Sequence, residues 1–418
     1  MKELNVFLGR QYVGVLGLDA GGRFRFQYEP AWLDRSEAIP LSLSLPLRKE
    51  PFENDFARPF FANILPEQEI RRKIARRLGI SNTNDFALLE ALGGECAGAV
   101  SILPKEARPT TSPTRYRYKL LSDSELETLI NELPNRSLLA GEEGVHLSLA
   151  GAQDKLPVKH EGNLVFLPLG GSPSTHILKI PIPGYRETVQ NEAFSMLLAQ
   201  CLGLDVPHAK VFRCSETPVY MIERFDRVRQ KGEIIRLHQE DFCQAMGILP
   251  DMKYESEGGP GLEDCVSLVK NHCSLPVRDL QRLLQWVVFN FLLGNADAHA
   301  KNISLLYRDG TVALAPFYDL MCTRVYGKQL TDRMAMAIGR ERRLDWIMPR
   351  HWERCAQSLG IRTEVVHNLV VDMARRIDTS VHDEAKKFRS AYGESSMVHE
   401  ITNLVAKRAR STLNRFEG

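Results

Sequence analysis

An aspartate and an asparagine stand five positions apart in NADAHAKNISLL (residues 295–306), Asp297 and Asn302, and a second aspartate, Asp319 in APFYDL, follows seventeen positions later. The strand-like runs between them read as a hairpin. Phosphoryl transfer of the protein-kinase kind uses such a set in this order. One carboxylate accepts the proton of the substrate hydroxyl, an amide oxygen holds Mg²⁺, and a carboxylate beyond a short hairpin joins the metal to the β- and γ-phosphates. Each residue also has a plainer reading: Asp297 could cap a helix, Asn302 could turn a loop and Asp319 could close an Asx turn. Asp297, His299 and Asp319 could instead ligate a divalent metal for hydrolysis.

Phosphotransfer further needs groups that hold the nucleotide. Lys179, in THILKIPI, lies within an apolar strand on the same face as Ile177. A strand lysine is ordinarily exposed or snorkelling; the functional alternative is a cation aimed into a cleft to hold phosphates, with Glu192 thirteen residues on to orient it. HLSLAGAQDKLPV (residues 146–158) sets small residues at a turn, where the main chain can approach an anion, although one glycine in a hairpin is more often only a turn. VYMIERFDR breaks from apolar to charged just before the chain turns helical. A hinge there would offer backbone groups of Glu223, Arg224 and Phe225 to a planar base; an ordinary strand end fits equally well.

Three regions must position these residues. Residues 1–107 alternate β-like runs with glycine turns, then give the helical stretches EQEIRRKIARRLGI and DFALLEALGG and a last strand, GAVSILP, which makes a small α+β unit. KEARPTTSPTRYRY reads as a linker. Residues 118–236 are strand-rich around one helix, whose stripe of Val189, Ala193, Phe194, Leu197, Leu198 and Cys201 predicts amphipathicity and a left-handed cap at Gly203. Residues 237–418 are helical apart from the hairpin. The expected class is α+β, a β-rich lobe followed by a helical lobe.

Composition sets the outer bounds. The 418 residues exceed one ordinary core, and 44% hydrophobic with 25% charged residues is that of a globular chain rather than a disordered or membrane-spanning one. The longest apolar run, LLQWVVFNFLLG, is broken by Gln285 and Asn290 and is too short for a bilayer. No export signal opens the sequence, so the expected location is cytoplasmic, with no membrane partner. Eight scattered cysteines without a CxxC pair suggest reduced thiols. Net charge is only +2, yet residues 331–418 carry 16 Lys and Arg against 12 Asp and Glu, clustered as GRERR, ARR, KKFR and KRAR. Such clusters are usually solvated helix faces, with nucleic-acid contact as the minority reading.

The motifs SLAGAQDK, THILKIP, IERFDR, KYESEGGPG, GNADAHAKNISLL and APFYDLM, together with PLSLSLPL, FFANILPE and GGECAGAVSILP nearer the start, resemble the HipA serine/threonine kinases, bacterial toxins of type II toxin–antitoxin pairs. The resemblance spans nearly the whole chain. It implies a two-lobed atypical protein-kinase-like fold preceded by an N-terminal subdomain. ATP would be held by Ala150, Gly151, Ala152, Gln153, Asp154 and Lys155, by Lys179, by the hinge Glu223, Arg224 and Phe225, by His299, Ala300, Lys301 and Asn302, and by Tyr318 with Asp319. It casts Asn302 and Asp319 as Mg²⁺ ligands, Asp297 as proton acceptor, and Ser148 as an autophosphorylation site that switches the kinase off. Other members carry GATDGHAKN where this chain has GNADAHAKN, which keeps the acid, His, Lys and Asn in register. The resemblance also implies a helix-turn-helix antitoxin like HipB, joint binding of operator DNA, and growth arrest through phosphorylation of an aminoacyl-tRNA synthetase, glutamyl-tRNA synthetase first among them. The alternative is a nucleotide-binding transcriptional co-repressor whose phosphotransfer is vestigial.

Overall fold

In FRFQY (Phe24–Tyr28) alternate residues are buried and exposed, so Phe24, Phe26 and Tyr28 face one way from a strand. The computed structural model describes residues 2–110, 115–141, 148–151 and 153–417. That strand is the edge of an antiparallel sheet continued by Gln11–Leu18, Lys2–Leu8 and Val100–Pro104. Its aromatic side chains meet Phe52, Phe61 and Phe86, the last two from the helices Asn54–Ala62 and Asp85–Leu92. The helix Gln68–Leu78 stops at Gly79, which adopts a left-handed φ of +67°.

The chain forms two compact units. The first comprises Met1–Ile180, Arg213–Asp251 and Leu305–Thr311. Besides the N-terminal sheet it holds a second one, ordered Arg117–Leu121, Leu164–Leu169, Lys155–Glu161, His176–Lys179 and Thr217–Glu223; the chain re-enters this unit along the strand Ala209–Cys214. A buried ionic network adjoins the end of that sheet. The Arg224 guanidinium bonds to Glu95 at 3.1 Å and to Asp226 at 2.8 Å, and Arg227 reaches the same Glu95 at 2.6 Å.

The second unit comprises Pro181–Phe212, Met252–Ser304 and Val312–Gly418. Its helices are Thr188–Cys201, Leu262–His272, Pro276–Leu293, Pro349–Leu359, Thr363–Tyr392 and Ser396–Glu417. Pro276 starts the third of these where a missing N–H does no harm, and left-handed Gly294 (φ +78°) ends it. The expected hairpin is Ser304–Arg308 with Thr311–Leu314, turning at Asp309 and Gly310, both at positive φ, and its stretch Leu305–Thr311 is counted with the first unit.

Two expectations need correction. Thr188–Cys201 is not amphipathic: Cys201 is exposed and Leu197 half-buried, whereas Asn191, Glu192 and Ser195 are buried. The helix packs against both Thr363–Tyr392 and Ser396–Glu417, so it has no broad polar face. The C-terminal part also holds an unforeseen hairpin, Arg333–Ile338 with Glu341–Arg343. All eight cysteines are free and seven are buried. Among the described residues no helix is long and apolar enough to cross a membrane.

Candidate active site

Asn290 explains itself once the turn after its helix is traced. In an otherwise apolar run its Nδ2 donates to Trp286 O at 2.8 Å, and its Oδ1 accepts from Asn295 Nδ2 at 2.8 Å. Asn295 Oδ1 in turn accepts the Asp297 N–H at 3.0 Å. Thr323 Oγ1 takes the Ala296 N–H at 2.7 Å. A relay of neutral amides and one hydroxyl thus carries the order of the helix into the turn.

His299 N–H bonds back to Asp297 O at 2.9 Å, and Asn302 Nδ2 donates to the same oxygen at 3.0 Å. Ala300, Lys301 and Asn302 form a buried 3₁₀ turn. Asn302 has its N–H groups turned to the chain, so the atom it can offer a ligand is Oδ1. The Asp297 side chain remains 55% exposed, with His299 Nε2 4.0 Å from its Oδ1. The backbone of the acid is fixed while its carboxylate stays open to a substrate.

Asp319 is held from both sides. Before it, Phe317 N–H bonds to Asp205 O at 2.8 Å, and Arg282 donates to Leu314 O at 2.7 Å and Ala315 O at 3.0 Å. After it, buried Asn191 accepts the Cys322 N–H at 2.8 Å and donates to Cys322 O at 2.9 Å. Asp319 itself is left-handed, φ +59°, a conformation Asp tolerates better than most residues and one that recurs at functional sites. Tyr318 OH reaches Lys301 O at 2.8 Å, which brings the two halves of the site in this unit together.

In the first unit, Lys155 and Lys179 are cross-strand partners on neighbouring strands, and Lys179 is only 8% exposed. Lys179 Nζ also lies 5.4 Å from the Tyr220 ring centre. Gly151 has φ +113°, a backbone conformation that residues with a Cβ rarely adopt, so the turn favours glycine. Lys155 Nζ donates to Ala150 O. Gln153 Nε2 bonds Ile180 O at 2.7 Å, and the Asp154 carboxylate is engaged by Ser137 and Lys73. Ala152 lies outside the described residues. Ser148 is fully buried: its Oγ donates to Ile64 O and its N–H to Glu95 O, both at 3.0 Å.

Glu223 ends its strand opposite His176, with Phe225 two residues on. Arg224 between them uses its guanidinium on Glu95, Ser174, Cys96 O and Asp226, its N–H on Thr175 O and its C=O on Arg227 N–H. No polar group of Arg224's side chain is left for a ligand. The residues that local sequence did not flag are Asn191, Arg282 and Tyr254. Tyr254 lies in KYESEGGPG, a motif that could have prompted the question.

The donors available fit the groups the turn suggests. A carboxylate and an amide oxygen suit a hard cation that keeps other ligands from phosphate and water. Among the described residues no three His, Cys, Asp or Glu side chains form a metal-binding group, so Asp297, His299 and Asp319 do not make the three-ligand set of the hydrolase reading.

Comparison with known proteins identifies the family. Residues 4–103 match the HipA N-terminal domain and residues 147–381 the HipA-like C-terminal domain. The chain is 39% identical over 414 residues to the Y4mE protein of Sinorhizobium fredii, covering 98% of each. It is 31% identical over 395 residues to the serine/threonine-protein kinase toxin HipA of Shewanella oneidensis, covering 90% of this chain and 88% of that one. The Shewanella HipA structure, solved with HipB and operator DNA, superposes with a TM-score of 0.85 at 28% identity, over 99% of this chain and 98% of that chain.

Proposed function

This chain is a kinase of the HipA family, and from that premise we propose that it is an ATP- and Mg²⁺-dependent protein serine/threonine kinase, the toxin of a toxin–antitoxin pair. The observation that carries the reading is the Asp297 turn: a backbone fixed by the Asn290–Asn295 relay beneath an open carboxylate, with the Asn302 amide locked to it. Bound Mg²⁺ and ATP would supply an electrophilic γ-phosphoryl group whose charge is partly neutralised. Asp297 takes the proton of the substrate hydroxyl. Asn302 Oδ1 and the Asp319 carboxylate would hold the metal. Lys179, Lys155 and the backbone around Gly151 hold phosphate oxygens, and Glu223 and Phe225 flank the base. The regions 1–107, 118–236 and 237–418 then serve as regulatory subdomain, nucleotide lobe and catalytic lobe.

The resemblance to the HipA kinases carries the proposal that Ser148 is an inhibitory autophosphorylation site, and its burial bears on how such a switch would work. A hydroxyl bonded to Ile64 O is modified only once its segment swings out, and a phosphate of about −1.5 to −2 charge then keeps it from returning beside a phosphate-binding turn. For partners we propose a HipB-like antitoxin, operator DNA bound jointly, and a cytoplasmic aminoacyl-tRNA synthetase as substrate, glutamyl-tRNA synthetase first. The helix Ser396–Glu417 supports a DNA contact, since Lys407, Arg410 and Arg415 line one shallow groove on it.

Incubation of the chain with Mg²⁺, labelled ATP and a panel of synthetases tests the proposal. Label on one synthetase, dependent on Asp297, supports it. A chain that binds ATP and represses its operator but transfers no phosphate to any protein would be the vestigial co-repressor instead.

A further inference from the structure

The motif KYESEGGPG, residues 253–261, takes no part in the chemistry above, yet it carries a residue in contact with the base. The Tyr254 hydroxyl donates a 2.6 Å hydrogen bond to Asp297 Oδ1. Its ring packs edge-on against His299 with centroids 5.1 Å apart, and Lys253 Nζ lies 5.5 Å from its centre. All four residues belong to the second unit.

The segment that presents Tyr254 is tightly constructed. Gly259 N–H bonds back to Tyr254 O at 3.0 Å, and a Cβ on Gly259 would lie 1.9 Å from Met252 O, so only glycine permits the turn. Gly258 is left-handed at φ +86°. The Glu255 carboxylate accepts the Ala337 N–H, and Gly261 N–H donates to Asp264 at 2.9 Å. A tyrosine on a loop fixed at so many points belongs to the frame of the site; a plug that must leave would need a looser mount.

Asp297 has use for such a neighbour. Its backbone is fixed, but an aspartate side chain that is 55% exposed would otherwise sample several rotamers. We propose that Tyr254 is the positioning residue of the catalytic base, its hydroxyl holding Oδ1 so that Oδ2 meets the substrate hydroxyl. This rests on Asp297 being the base. In the transfer step the substrate proton passes to Asp297 Oδ2, the substrate oxygen bonds to the γ-phosphorus, and the bond from that phosphorus to the ADP oxygen breaks. Tyr254 keeps its own proton and its bond to Oδ1 throughout. A neutral phenol fits the task, because a cation in its place would favour the ionised carboxylate and weaken it as a base.

The test compares wild type, Tyr254→Phe and Asp297→Asn as full-length chains. The rate of phosphate transfer from labelled ATP, onto the chain itself and onto a basic acceptor protein, is measured against ATP concentration. Phenylalanine keeps the ring against His299 and removes only the hydroxyl, so the melting temperature should stay near that of wild type. The expected result is a maximal rate lower by about tenfold or more, with unchanged half-saturating ATP, because orientation is lost and nucleotide binding is not. A maximal rate within twofold of wild type, or above it, while Asp297→Asn is inactive, overturns the positioning role and leaves the base in place. An Asp297→Asn chain as active as wild type removes the base itself, and the inference with it.

Discussion

Among the described residues, two of the networks that hold candidate site residues are made of opposite materials. Beside the strand end at Glu223 in the first unit, Glu95, Arg224, Asp226 and Arg227 are all ions, each almost wholly withdrawn from solvent. Around Asp297 in the second unit, the hydrogen-bonding groups are the amides of Asn290, Asn295 and Asn302 and the hydroxyls of Thr323 and Tyr254, all neutral, with His299 Nε2 farther off at 4.0 Å. Ions pair strongly enough to pin a backbone, but every member depends on the others, because an unpaired buried charge is costly. A base must keep its charge available for a proton. Neutral donors fix its place without a cation that would hold the carboxylate in its ionised form.

The comparison predicts unequal failures. Glu95→Ala leaves Arg224 and Arg227 buried without their shared carboxylate and should lower unfolding free energy by about 3–5 kcal/mol, read from urea denaturation. A loss below about 1 kcal/mol would mean that the network is solvated, and the contrast would fall. Asn295→Ala should reverse the balance, with a stability loss of about 1–2 kcal/mol and a phosphotransfer rate down by roughly tenfold at unchanged ATP affinity. Full activity in that variant would break the claim that the amide relay matters to the base.

A smaller effect sharpens the contrast from within the first unit, at a buried carboxylate that has no cation among its hydrogen-bond donors. Glu240 accepts from the hydroxyls of Ser42 and Tyr307 and, at 3.1 Å, from Leu43 N–H, and burial pushes it up to about 7 from 4.5. Because the folded value lies above the unfolded one, its stabilisation is fully present below about 4.5 and lost as pH rises through about 7. Wild type should therefore gain on Glu240→Gln by about 1.4 kcal/mol for each pH unit of acidification across that window. Burial pushes neighbouring His238 down to about 4, which acts with the opposite sign in both proteins and drops out of the difference. Parallel stability curves for the two proteins would show that Glu240 does not titrate there.

Local sequence revealed what local forces build. The order of Asp297, Asn302, the hairpin and Asp319 was legible, because the turn residues and strand patterns lie within one short stretch, and so were the strands before Pro104 and the helices Gln68–Leu78 and Asp85–Leu92, though not Pro30–Leu33 or Asn54–Ala62. Contacts between distant segments were not. Tyr254 meets Asp297 from 43 positions away, and Asn191 holds Cys322 from 131 positions away. Nothing near ERFDR announces that Arg224 and Arg227 pair with Glu95, 129 and 132 positions away. The helix Thr188–Cys201 was misjudged because a helix surrounded on most sides loses the polar face that periodicity measures. RMAMAI hid a strand behind Met and Ala, which favour helix, and the turn at Gly339 and Arg340, both at positive φ, gave only a weak signal.

The central claim is that Asp297 does chemistry while Asp319 holds the metal and, through it, the nucleotide. Calorimetric ATP binding with and without Mg²⁺, measured beside phosphotransfer in Asp297→Asn and Asp319→Asn, tests it most directly. Asp297→Asn should bind Mg²⁺ and ATP within about threefold of wild type yet transfer phosphate slower by on the order of a hundredfold to ten-thousandfold. Asp319→Asn should lose the Mg²⁺-dependent part of binding as well as transfer. Wild-type transfer by Asp297→Asn, or Mg²⁺-dependent binding untouched in Asp319→Asn, would contradict the account.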